Sequence, residues 1–300
     1  MPDASAAVPP TPVAPIPAPA PTPTADNHIS DSIKALAASL QWKTGTITLK
    51  GGLAKINLTS DFRYLDSSDS DKVLRQMWGN RTSEGVLGMI FPADIGPLDK
   101  ESWAVVIQYD DSGYVKDDDA EKINYDDLLK QMKKEAGGEN PPVELVGWAA
   151  PPHYDKAAHK LYWAKDIKFD GERDDTLNYD IRILGRHGVL VLKAVAGMDQ
   201  FDAIDKRIPA VLAMVDFQPG NTYGEFDPKI DKIAEYGLAT LIAGGAIGAA
   251  LKLGLFGLLL KYIVVVALAL KKLLIVVIVA IVGAVKALWG KITGKSNKNQ

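Results

Sequence analysis

An antiparallel α+β domain, followed by a C-terminal helical membrane anchor, is the fold class that this 300-residue sequence predicts. Three observations carry that expectation. Alternating apolar runs recur at hairpin spacing around glycine turns. Short helical stripes fall between those runs without the regular strand–helix alternation of a parallel sheet. Beyond position 236 the chain holds no Asp or Glu and is dominated by Leu, Ile, Val, Ala and Gly.

The elements follow in order. Residues 1–27 contain nine of the 18 prolines. Proline fixes φ and removes an amide donor, so this stretch is expected to be an extended, solvated tether. Residues 1–25 carry no signal-peptide pattern, because a basic start and an apolar centre are both missing. The α+β domain is expected over 28–220. Within it, 31–42 place Ile33, Leu36, Ala37 and Leu40 on one helical stripe. Two alternating runs then meet at Gly51-Gly52, a hairpin signature. Residues 70–78 read as a second helix, capped by Asp69, Ser70 or Asp71.

Strands are expected at 85–91 and 103–109 from their β-branched and aromatic content. A helix over 124–136 closes at Gly137-Gly138. Two further strands, 143–148 and 159–169, are expected on either side of a corner at Pro151-Pro152. The clearest hairpin pairs 176–184 with 189–196, turning at 185–188. Residues 200–215 are helical, with Pro209 at a kink or near a helix start. A juxtamembrane linker is expected over 221–236.

The net charge of −3 conceals a division. Eight of the 34 basic residues lie beyond position 236, which leaves 26 against 37 acidic residues before it, a net of −11. An acidic body joined to a basic, apolar tail has the charge asymmetry of a membrane-seeking chain. The same count argues against nucleic acid as a partner, since the body has too few cations to neutralise phosphates. Cysteine is absent, which excludes disulfides, thiolate nucleophiles and Cys-rich zinc sites.

The helical membrane segment is expected over 237–290. The charge-free stretch 238–251 is 14 residues long, short of the roughly 18 to 20 of an unbroken span. Residues 238–260 nevertheless hold eleven strongly apolar side chains, each worth about −0.3 to −0.6 kcal/mol, against about +3 kcal/mol for Lys252. In 262–285, Lys271 and Lys272 sit centrally and bring the balance near zero. Lys261, Lys272 and Lys286 fall within about 40° on a helix, a stripe suited to the bilayer interface. One arrangement is therefore a first span with a basic interfacial helix on the cytoplasmic side. The other is two spans. Lys252, Lys261, Lys271, Lys272, Lys286 and Lys291 are the expected membrane-interface residues, and 291–300 form a Lys-rich tail. Gly244 and Gly248 make a G-x-x-x-G pair that allows close helix packing, and with it a homo-oligomer.

Candidate chemistry is sparse. His153, Asp155 and His159 are the nearest approach to a metal or acid/base cluster. Their spacing across a turn lacks the i, i+4 register of two helical ligands, and a packed turn is the competing reading. The acidic run Asp110, Asp111, Asp117, Asp118, Asp119 and Glu121 lacks calcium-loop register, with Tyr114 at a ligand position. Ser83, Ser102 and Ser112 sit in no nucleophile elbow. Strand aromatics such as Trp103, Tyr109, Trp148, Tyr162, Trp163 and Tyr179 suit either a binding groove or the core. No cofactor is expected.

Several long stretches resemble one bacterial family of membrane-anchored proteins, domain of unknown function 2167. They are FRYLDSSDSDKVLRQMWGN, WAVVIQYDDSGYVKDDDAEKINYDDLLKQM, VELVGWAAPPHYDKAAHKLYWAK, TLNYDIRILGRHGVLVLKAVAGMDQF and FQPGNTYGEFDPKIDKIAEYGLATLIAGG. The similarity spans about 45–245. It implies export, an extracytoplasmic domain and a C-terminal anchor in the inner membrane, and it brings no catalytic residue. The expected role is an interaction module of the bacterial envelope, with the bilayer and an envelope protein as partners. A metal-assisted hydrolase using His153, Asp155 and His159 is the alternative, and an oligomeric membrane assembly is the third reading.

Overall fold

The computed structural model of the protein describes residues 31–136, 143–169 and 173–244. Among these described residues, ten strands form two antiparallel sheets. The large sheet has seven, in the order β3 (Phe62–Asp66), β4 (Val86–Pro92), β5 (Val105–Asp110), β9 (Val189–Gly197), β8 (Thr176–Leu184), β7 (Lys160–Phe169), β6 (Val143–Asp155). The small sheet pairs β1 (Thr46–Leu49) with β2 (Ala54–Asn57), and β2 with β10 (Val215–Phe217). The antiparallel α+β expectation is therefore met in the described residues.

The two faces of the large sheet have different coverings. On one, Tyr64, Ile90, Ile107, Leu192, Ile181 and Ile183 pack with Ile204 and Val211 of helices α4 (Phe201–Asp205) and α5 (Ile208–Met214), and with Ile56 of the small sheet. On the other, Leu65, Met89, Phe91 and Val106 lie with Val73 and Leu74 of a helical stretch that begins as α2 (Ser67–Asp71). That stretch continues as a π-helical turn over Lys72–Met77. Leu40, just beyond α1 (Asp31–Ala38), closes the same cluster. Helix α3 (Tyr125–Ala136) packs against β6, and the short α6 (Leu238–Ala243) against α3.

Local chemistry explains the element ends. The Asn124 carboxamide accepts from the amides of Asp126 and Asp127 and so caps α3. Pro209 stands in the first turn of α5, where its missing N–H costs nothing. The cap of α2 is Asp66, which accepts from Ser68 and Asp69, three residues before the earliest expected cap. Asp69 instead turns inward and accepts from the Gln41 amide. β3 was not expected as a strand, because its five residues show little alternation.

Pro151-Pro152 is not a corner. β6 runs through both prolines, with register shifts before them and one across them, between Ala150 and His153. It can do so because it is an edge strand, where a missing amide breaks few ladder bonds and bulges absorb the misfit. Residues 221–236, expected as a linker, lie along the domain: Tyr114 bridges Ile233 in parallel, and Gly185 bridges Thr222. Gly113 makes room for them, with φ +121° and Lys232 O only 2.7 Å from where a Cβ would stand.

The tether over 1–27, most of the 237–290 segment and the 291–300 tail lie outside the described residues. Among the described residues, no helix is long and apolar enough to cross a membrane. α6 stops at Ala243, and Gly244 terminates it with φ +87°.

Candidate functional site

The structure does not bring His153, Asp155 and His159 together as ligands. Among the described residues no three His, Cys, Asp or Glu side chains are grouped to hold a metal ion. His153 lies on edge strand β6 with its ring 5.1 Å from that of its cross-strand partner Tyr162. Asp155 caps the β6–β7 turn, accepting from the amides of Ala157 and Ala158. Those amides, with His153 nearby, hold its carboxyl below the usual range. His159 takes φ +52° at the end of that turn and joins Tyr154, whose side chain leaves the strand on the side opposite His153 and Asp155.

Tyr154 and His159 meet the carboxylate of Asp117, from the acidic run. The Tyr154 hydroxyl donates to Asp117 Oδ2 at 2.8 Å. The Tyr223 hydroxyl, 3.0 Å from both, lies between Asp117 Oδ1 and the Val115 carbonyl. With its proton given to Asp117, the Tyr154 oxygen accepts from His159 Nδ1 at 3.2 Å, which fixes the tautomer. Rings stack around this centre: His159 on Tyr223, Tyr223 on Tyr114, Tyr114 on Phe226. Burial, then Asp117, pushes Tyr154 well above the ordinary phenol range. Burial, followed by Tyr114 and Asp117, does the same to Tyr223. Burial draws the His159 imidazole down despite Asp117 and Asp155. The two phenols, the imidazole and the shared Asp117 carboxylate form a clasp between the β6–β7 turn and the 221–236 stretch.

Two further contacts complete the clasp. Arg186 Nε donates to Asp231 Oδ2 at 2.7 Å, and the Asp227 amide shares that oxygen. The Tyr236 hydroxyl donates to Asp110 Oδ2 at 2.7 Å and also contacts the Ser112 hydroxyl. Asp110 and Asp117 of the acidic run are thus separate hydrogen-bond acceptors. Of the candidate groove aromatics, Trp103, Trp163 and Tyr179 are buried.

A second constellation lies on the large sheet. Val106, Lys193, Asp180 and Trp163 are directly opposite one another on β5, β9, β8 and β7, so they share the face that carries Met89 and Phe91. Arg182 and Lys165 lie two residues along from Asp180 and Trp163, on that same face. Asp180 is 5 % exposed, 3.0 Å from Arg182 Nη2 and 3.2 Å from Lys165 Nζ. Burial alone would raise its carboxyl, but Lys165, Arg182 and Lys193 together hold it below the usual range. The Arg182 guanidinium carbon stands 5.0 Å from the centre of the Trp163 ring. Burial brings Lys193 down to about 8, with Asp180 opposing the fall and Arg182 and Lys165 adding to it. Sequence reasoning missed this group, although charged residues alternating along two central strands were a visible signal.

Lys252, Lys261, Lys271, Lys272, Lys286, Lys291 and Gly248 lie outside the described residues. Gly244 is described, at a helix end and not within a helix.

Residues 41–282 match the family described as "Protein of unknown function (DUF2167)". The chain belongs to that family. No curated protein matches this DUF2167 chain at a significant level. Among solved structures it is similar to the cyanobacterial PsbP (CyanoP) from Synechocystis, at 10 % identity over 60 % of this chain and 94 % of that one, with a TM-score of 0.34. It is also similar to a mutant of the protein Mog1, at 8 % identity over 58 % and 95 % of the two chains, with a TM-score of 0.33. A third is LpqN, involved in cell envelope biogenesis of Mycobacterium tuberculosis, at 13 % identity over 64 % and 98 %, with a TM-score of 0.31. None of them brings a residue role to this DUF2167 protein.

Proposed function

We propose that this DUF2167 protein is a membrane-anchored interaction module of the bacterial envelope, its α+β domain on the extracytoplasmic side of the inner membrane. The observation that carries the reading is the charge division: residues 237–300 hold eight lysines, no carboxylate and long apolar runs, after a body of net −11. Lysine-rich flanks stay on the cytoplasmic side, and a single span then leaves the domain opposite. The clasp suits such a role. It ties 221–236 to the domain through Tyr223, Asp231 and Tyr236, so that the stretch leading to the apolar segment is fixed and not a free hinge. An enzyme using His153, Asp155 and His159 has no support from the geometry.

The chain has no cysteine, so single Cys substitutions report sidedness without background. Lys156→Cys, in the exposed β6–β7 turn, is expected to react with an impermeant maleimide added outside spheroplasts. Asn297→Cys is expected to react only after lysis if one span is present, and from outside if there are two. Labelling of Lys156→Cys only after lysis would overturn the extracytoplasmic placement. Recovery of the full chain in the soluble fraction would overturn the anchor.

A further inference from the structure

The group on the large sheet has an imbalance that neither the fold nor the anchoring role uses. Three cations, Lys165, Arg182 and Lys193, surround one buried carboxylate, Asp180. Asp110, at the end of β5, accepts from the Tyr236 hydroxyl and the Ser112 amide and is not among the charges that act on Lys193. Central strands of a sheet ordinarily carry apolar side chains here, and unpaired buried charge is costly. Replacing Asp180, Arg182 and Lys193 together with apolar side chains would satisfy the pleat at lower cost. The chain instead keeps two positive charges beyond what Asp180 neutralises.

The donors are also unequal in their commitments. Arg182 is tied by Asp180, by the Ile181 carbonyl at 2.9 Å and by the Trp163 ring, so its plane is set. Lys165 is held by Asp180 with its side chain 20 % exposed. Lys193 lies directly opposite Asp180, the one carboxylate that acts on it, with Arg182 and Lys165 as further cations. The Trp163 indole N–H is buried in a residue 1 % exposed and lacks an acceptor. A fixed guanidinium, two ammonium groups and an orphan indole N–H have one missing complement: oxygen atoms bearing negative charge.

We infer that this face of the sheet binds the oxyanion group of a small acidic ligand, a phosphate or a carboxylate, with Lys193 as the principal donor and Arg182 and Lys165 beside it. The inference goes beyond the anchoring role and stands without it. A divalent cation is the wrong charge for the site.

The test is thermal unfolding of the full-length chain in neutral detergent, titrated with sodium phosphate or acetate at ionic strength held constant with sodium chloride. The melting temperature is expected to rise and saturate as for one site. Lys193→Met is expected to weaken the apparent affinity roughly thirty-fold, the worth of one charge-assisted hydrogen bond. Without anion, it is expected to melt no lower than the parent. Lys193→Arg keeps the charge and is expected to keep binding within a few-fold, so it serves even where the Met variant folds poorly. No rise beyond that in chloride, or an equal rise in parent and Lys193→Met, would overturn the inference. With binding seen, glycerol 3-phosphate and dihexanoyl phosphatidic acid separate the sources: equal affinity marks a free metabolite, and tighter binding of the lipid marks a headgroup.

Discussion

The Asp117 carboxylate accepts from the Tyr223 hydroxyl at 3.0 Å, across 106 residues of chain. Its other oxygen accepts from the Tyr154 hydroxyl, so one side chain joins the β6–β7 turn to the stretch leading toward the apolar segment. Removing the acceptor deprives the Tyr154 hydroxyl of its carboxylate and leaves the buried Tyr223 hydroxyl with the Val115 carbonyl alone. Asp117→Ala is therefore expected to cost about 2–4 kcal/mol of stability, and Asp117→Asn less, because an amide oxygen still accepts. Urea unfolding of the two variants checks the order.

Gly113→Ala should release the same stretch from the other side. The new methyl would meet the Lys232 carbonyl and force a side chain into φ +121°, so either the loop or 231–234 must shift. Hydrogen exchange is expected to accelerate at Tyr114 and Ala234, whose amides bond across this contact, while β8 and β9 keep their protection.

Stability should rise with pH above neutrality, then fall. Lys193 sheds its proton near 8 in the folded chain and at 10.5 when unfolded. Between those values the unfolded state binds more protons, so unfolding grows harder as pH increases, by at most about 3 kcal/mol. Tyr64 and Tyr109 are pushed up to about 12, chiefly by burial. Above about 10 the folded state therefore retains protons that the unfolded state has lost, and stability declines. The urea midpoint measured from pH 7 to 11 is expected to peak between about 9 and 10. Lys193→Met should flatten the rise and leave the fall.

Arg207 and Asp94 make a two-pronged pair at 3.0 Å on each arm, yet the carboxylate is largely exposed. Water and salt screen such a pair. Arg207→Ala is expected to lower stability by less than about 1 kcal/mol, with the difference shrinking in 1 M salt.

Local signals in the chain were readable; distant ones were not. The β1–β2 and β8–β9 hairpins could be read because alternation and turn glycines sit within a few residues of each other. Gly188 makes the second turn fit, since a Cβ there would stand 2.0 Å from the Asp110 carbonyl. β3 was missed because Phe62–Asp66 is short and gets its place from pairing with β4. Pro151-Pro152 misled because proline's meaning depends on whether a strand has a neighbour on both sides. The docking of 221–236 rests on Tyr223 and Tyr236 reaching acids more than a hundred positions away. Lys165, Asp180, Arg182 and Lys193 are spread over three strands, with no local pattern that links them. Only the order of strands reveals that they converge.

The two prolines in β6 have a consequence for the chain among its own copies. An uncovered sheet border invites another molecule to add its strand, and crowding makes that addition more frequent. Here the border is broken by two positions without amide hydrogens and by shifts in pairing, so no long straight row of donors is offered. Copies concentrated side by side should therefore remain separate bodies and not zip into ribbons.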